Sequence, residues 1–134
     1  MSKRAIAASA VIAVLALSGC ARTGAPGEQF VSRAPAATVI GPAVSCVQTT
    51  LIHETRVWDD QTIDFVMNGG KRYRNTLPIR CPELGFEQRF AYRTSNSSLC
   101  DVDTITVLHT GSSIPGPTCG LGKFVPVTLA GSGR

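Results

Sequence analysis

Apolar and polar positions divide this chain into three regimes. Residues 5–17 are apolar except at Ser9. At 1.5 Å per residue such a run spans roughly 20 Å, short of the ~30 Å hydrocarbon core of a bilayer, so it has the length of a signal-peptide core. From residue 21 to residue 45 no apolar period persists, and Pro26, Pro35 and Pro42 interrupt any regular element. That stretch, rich in Ala, Gly, Ser and Thr, predicts a flexible tether. Beyond it, short segments alternate with period two between turn residues, the signature of strands.

Six strands are expected, at 48–57, 62–67, 71–77, 86–94, 102–109 and 121–129. Ile63, Phe65 and Met67 share one face of the second. In the third, Tyr73 and Leu77 oppose Arg72 and Arg74. A two-residue glycine loop between these strands would pair Phe65 with Arg74 and mix the faces. A three-residue loop of Asn68, Gly69 and Gly70 pairs Phe65 with Tyr73 and Ile63 with Asn75, which keeps the aromatics together. The fourth strand sets Phe86, Phe90 and Tyr92 against Glu87, Arg89 and Arg93, and the fifth carries Ile105 and Val107 in phase. Pro78 and Pro82 around Cys81 predict a turn or single helical turn over 77–85. Residues 95–98 read as a loop, and Pro115, Gly116 and Pro117 make 111–118 a long loop. Pro126 removes a ladder donor, which places the last strand at an edge. The sum is an all-β domain, a small barrel or sandwich of about six antiparallel strands.

The apolar run follows Lys3 and Arg4 and ends in Leu17, Ser18, Gly19 and Cys20. This resembles the lipobox of bacterial lipoproteins: an apolar residue and two small ones fit the peptidase, and the cysteine supplies the thiol to be acylated. The resemblance implies cleavage between Gly19 and Cys20 and lipid on Cys20. Several acyl chains on one residue anchor stably, at about 0.8 kcal/mol per buried CH₂. Ala21 after the cysteine favours the outer membrane in the sorting rule of such proteins. The plainer alternative is an ordinary secretory signal with Cys20 as an incidental thiol. The expected organisation is a signal peptide over 1–19, a lipidated cysteine and tether over 20–45, a β domain over 46–130 and a disordered tail over 131–134.

Removing the signal changes the composition. The 134 residues are 43% hydrophobic and carry a formal charge of +4. Residues 1–19 hold thirteen of the apolar side chains and two of the cations, so the remainder is near +2, eleven basic against nine acidic groups. No cationic stripe suited to nucleic acid is left. The lipobox resemblance makes the fifth cysteine, odd at first sight, the lipid-bearing one. Cys46, Cys81, Cys100 and Cys119 then form an even set, and in an envelope compartment they are expected to make two disulfides. Four cysteines allow three connectivities, and spacing does not choose among them. Zinc is the competing use, but no pair sits at C-x₂₋₄-C spacing and neither His53 nor His109 has a companion at ligand spacing. No metal and no cofactor are expected.

Residues 46–128 also resemble a bacterial family of small cysteine-containing envelope proteins whose domain has no assigned function. The resemblance is carried by Cys46, by Arg56, Val57 and Trp58, and by Gly70 and Tyr73. It continues through Leu77, Pro78, Ile79, Arg80, Cys81, Pro82, Glu83 and Leu84, then Leu99, Cys100, Asp101, Val102, Asp103, Thr104, Ile105, and Cys119. It implies a compact, lipid-anchored or secreted β domain and assigns no catalytic residue.

The main candidate surface is cationic. The set is Lys71, Arg72, Arg74, Arg89 and Arg93, in which Arg72 and Arg74 share one face of the third strand and Arg89 and Arg93 one face of the fourth. Were those strands neighbours, their guanidinium forks would suit the phosphates and carboxylates of envelope lipids and glycans. The plainer reading is a solvated face partly neutralised by Asp64 and Glu87. Asp101 and Asp103, with Asp59 and Asp60, offer carboxylates for a hard cation, but the spacing lacks the glycine and further oxygens of a calcium loop, and holding the turn after Cys100 is the expected role. Ser112 and Ser113 lack a nucleophile elbow, and no C-x-x-C redox pair is present. The expected role is a lipid-anchored periplasmic module, non-enzymatic, that binds or has a structural part, its partner an envelope protein or an anionic glycan or lipid. The alternative is an accessory or inhibitor module for an envelope enzyme, or a small hydrolase.

Overall fold

The computed structural model describes residues 30–131. The signal-like segment 1–19, Cys20 and the chain to residue 29 lie outside these residues, as do residues 132–134. Among the described residues ten strands form three antiparallel sheets, with no closed barrel. They are β1 (Ala37–Val39), β2 (Cys46–Gln48), β3 (Ile52–Val57), β4 (Thr62–Met67), β5 (Arg72–Thr76), β6 (Phe90–Tyr92), β7 (Ser98–Cys100), β8 (Thr104–Leu108), β9 (Pro115–Gly120) and β10 (Phe124–Leu129), with one helical turn, α1 (Leu84–Glu87). The large sheet has the order β1-β10-β5-β4-β3, the second is β6-β8-β9, and β2 pairs with β7.

The β4–β5 hairpin has the register that aromatic matching requires. Phe65 faces Tyr73, Ile63 faces Asn75, and Met67 donates its N–H to Lys71 across the three-residue loop. Gly69 and Gly70 supply the positive φ angles, 87° and 86°, that side-chain-bearing residues resist there. Phe65, fully buried, is the centre of the core. It meets Phe124 of its own sheet at 5.3 Å and Phe90 of the second sheet at 6.3 Å, both edge-on, so the two sheets pack face to face. Val47 and Leu99 close one side of this core, and Leu77, Cys81 and Leu84 another.

Several expectations are corrected. The tether reading fails for its second half: Ala37–Val39 pairs with β10, and Val44 bridges Phe124. Residues 30–36 form a strap over the outer face of the large sheet. Ser32 is fastened to Asp59 at 2.5 Å, Arg74 donates to the Pro35 carbonyl at 2.9 Å, and Ala130 donates to Ala36 at the other end. The last strand is not an edge, because β1 flanks it. Pro126 is tolerated because its carbonyl, and hence its missing N–H, faces β1, which ends at Val39; Ile40 makes the closing bond to that carbonyl.

The expected fourth strand, 86–94, is reduced to the three residues of β6. The chain enters the left-handed region at Glu83 (φ 69°) and again at Gln88 (φ 53°), so α1 interrupts the alternation and Phe86 is 86% exposed instead of buried beside Phe90. The expected loop at 111–118 contains most of β9, an edge strand in which Pro115 and Pro117 cost few ladder bonds. Gly116 is required there, since a Cβ would come within 2.9 Å of the His109 ring and 3.0 Å of the Val107 carbonyl. β7 begins at Ser98, so the expected loop at 95–98 holds over 95–97 and loses its last residue to the strand.

Candidate functional site

The five cations do not share a face. β5 lies between β10 and β4 in the large sheet, whereas β6 pairs only with β8. Arg72 and Arg74 are turned inward onto Asp64, whose side chain is wholly buried. Arg74 grips both carboxylate oxygens, Nε to Oδ1 at 2.8 Å and Nη2 to Oδ2 at 3.0 Å; Arg72 adds a bond at 3.2 Å and the Trp58 indole one at 2.9 Å. The cause is register: Asp64 lies directly across from Arg74 and diagonally from Arg72. The strap then covers the cluster. These arginines are structural, and Arg89 and Arg93 stand apart from them on the other sheet.

The cysteines pair Cys46 with Cys100 and Cys81 with Cys119. The first bond staples β2 to β7 at directly opposed positions; the second ties the turn before α1 to β9. Among the described residues no cluster of three or more His, Cys, Asp or Glu side chains could hold a metal ion. Asp103 accepts the Cys100 N–H at 2.7 Å, which is the turn-holding role expected of it, and Asp101 pairs with Lys123. Asp60 instead binds Arg80 and the Gly85 N–H. Burial pushes the Asp59 carboxyl up, but hydrogen bonds from Ser32, Gln61, Arg33 and Thr62 outweigh it and hold the group below its ordinary value. His53 is exposed at a bulge in β3. His109 meets Glu83 at 2.7 Å, and that bond, helped by the charges of Glu83 and Glu87, raises its pKa.

One open trough lies on the outer face of β6-β8-β9, about 460 Å³ in volume. Its floor is the cross-strand row Ala91, Thr106 and Thr118, whose short side chains leave the sheet surface low. The Thr106 and Thr118 hydroxyls lie 3.0 Å apart, and Thr104 is in phase with them. Arg93 lines the trough near one end of β6; Leu108 and Pro115, paired across β8 and β9, make the other end apolar. Of the sequence candidates only Arg93 belongs to this trough. The alternation of Thr104 and Thr106 with Ile105 and Val107 signals a hydroxyl-bearing face, but its partner strand β9 is hidden behind two prolines.

No protein-family model, curated protein or solved structure matches this chain.

Proposed function

We propose that the protein is a lipid-anchored envelope protein, held through Cys20 and facing the periplasm, that works by binding an acidic envelope glycan. Two disulfides suit an oxidising compartment, which agrees with the export signal and lipobox. The observation that carries the binding reading is the trough. Threonine hydroxyls match sugar hydroxyls, Leu108 and Pro115 offer an apolar surface to the C–H face of a ring, and the Arg93 fork suits a carboxylate. By contrast, Asp59, Asp64 and Asp103 are taken up in bonds that hold the fold.

Co-sedimentation with purified peptidoglycan sacculi tests this. Wild-type protein should pellet with sacculi, and Arg93→Ala and Thr106→Val should each reduce the bound fraction, while Lys71→Ala, on the other sheet, leaves it unchanged. Equal retention of all four, or no retention of the wild type, overturns the glycan assignment.

A further inference from the structure

The N-terminal strap enters the domain at one end of β4, beside a knot of polar contacts. Asp60 accepts from Arg80 through one carboxylate oxygen and from the Gly85 N–H through the other. The Arg80 guanidinium stacks 4.5 Å from the centroid of the Phe30 ring, and Arg33 packs against Gly85 and binds Asp59 through its backbone. Each chain segment in this knot carries an exposed apolar neighbour: Val31 beside Phe30, Ile79 beside Arg80 and Phe86 beside Gly85, exposed by 81%, 77% and 86%. Two stretches remote in sequence, 30–33 and 79–86, thus bring large exposed apolar side chains to the end of the domain where the strap enters. That end is the one from which the chain leads to Cys20.

We propose that this end, bearing Phe30, Val31, Ile79 and Phe86, is a membrane-docking surface that lies against the lipid in which Cys20 is anchored. This rests on the lipid-anchor reading given above. Nine residues lie between Cys20 and Phe30, and fully extended the ten steps from one to the other reach no further than roughly 33–36 Å. Bringing the Asn68 to Gly70 loop to the bilayer instead would take up about 20 Å of that reach in running back along β4. The attachment end, nearest to the anchor, therefore has the highest effective concentration at the bilayer. Apolar side chains there gain by entering the headgroup boundary, and Arg33 and Arg80 beside Phe30 match lipid phosphates.

The test uses the full-length lipidated protein in vesicles of phosphatidylethanolamine and phosphatidylglycerol doped with a dibrominated phosphatidylcholine. Ile79→Trp and Phe86→Trp report the docking end. Leu51→Trp reports the opposite end, where Leu51 accepts from the Asn68 N–H. Trp58 is a background common to all. Docking predicts a blue-shifted added emission and bromolipid quenching about twofold or more above that of Leu51→Trp, as expected for side chains ~5–10 Å into the boundary. Equal quenching of the three reporters in vesicle-bound protein overturns the docking surface and leaves the anchor intact. Wild type that floats with vesicles no better than Cys20→Ser overturns both.

Discussion

Arg74 holds Asp64 in a two-pronged clamp, one prong at 2.8 Å and the other at 3.0 Å, with the carboxylate wholly shielded from water. A buried charge in such a clamp contributes little over an apolar pair of the same shape, yet removing one partner leaves the other desolvated and unpaired. Asp64→Ala should therefore cost about 3–5 kcal/mol of unfolding free energy. Denaturant melts of Asp64→Ala, Arg74→Ala and the double variant check this. The double variant should lie well short of the sum of the two single losses, because the same contact is counted in both.

Gly122 and Asn75 exchange two hydrogen bonds, the Asn75 amide donating to the Gly122 carbonyl at 2.6 Å and accepting from its N–H at 2.9 Å. Asn75 is fully buried, and a Cβ at position 122 would overlap the Thr76 carbonyl oxygen. Gly122→Ala should destabilise by about 3 kcal/mol, the upper range for forced overpacking. Gly120→Ala, two residues earlier and facing open space, serves as the control in the same thermal melt.

The disulfides close chain separations of 54 and 38 residues. On a chain-entropy estimate each contributes about 4 kcal/mol through the unfolded state. Cys46→Ala with Cys100→Ala, and Cys81→Ala with Cys119→Ala, should each lower the urea midpoint strongly, and full reduction should unfold the domain near body temperature. A reduced domain with an unchanged midpoint would refute this.

Protonation of His109 is favoured by folding, since Glu83 and Glu87 face it and its pKa rises above the ordinary 6.5. Its contribution is thus complete below the unfolded value and fades as pH climbs through the raised folded value. The melting temperature should fall modestly between pH ~6 and ~8, and His109→Gln should flatten that slope. The carboxylates act at the other end of the scale: Asp59, Glu87 and Asp101 are all held below their ordinary values, so their contributions are lost as pH falls through the acid range.

The hairpin of β4 and β5 was legible because its register is a local matter, fixed by a three-residue loop and by which faces are aromatic. The arginine face was not, because whether β5 and β6 are neighbours depends on long-range pairing that alternation does not encode. β10 and β9 show the same limit from two sides. Proline marks an edge only relative to the side its missing N–H faces, so Pro126 suits an interior strand while Pro115 and Pro117 sit in a true edge strand. The strap was illegible for another reason: Ser32 and Arg33 bind through single hydroxyl and backbone groups to Asp59, which leaves no period in the sequence. The trough was half legible, its threonines visible in alternation and its second wall concealed.

The two disulfides interlock in chain order: the first cysteine of the domain joins the third and the second joins the fourth. A chain delivered from its N-terminus into an oxidising space presents Cys46 and Cys81 before Cys100 has emerged. The earliest bond available to an oxidase is then a wrong one, and the last pair to appear, Cys100 with Cys119, is wrong as well. Maturation of this small domain along that route would call for delayed oxidation or for thiol exchange by an isomerase. Its yield in a cell should be set by disulfide shuffling more than by the stability of the finished fold.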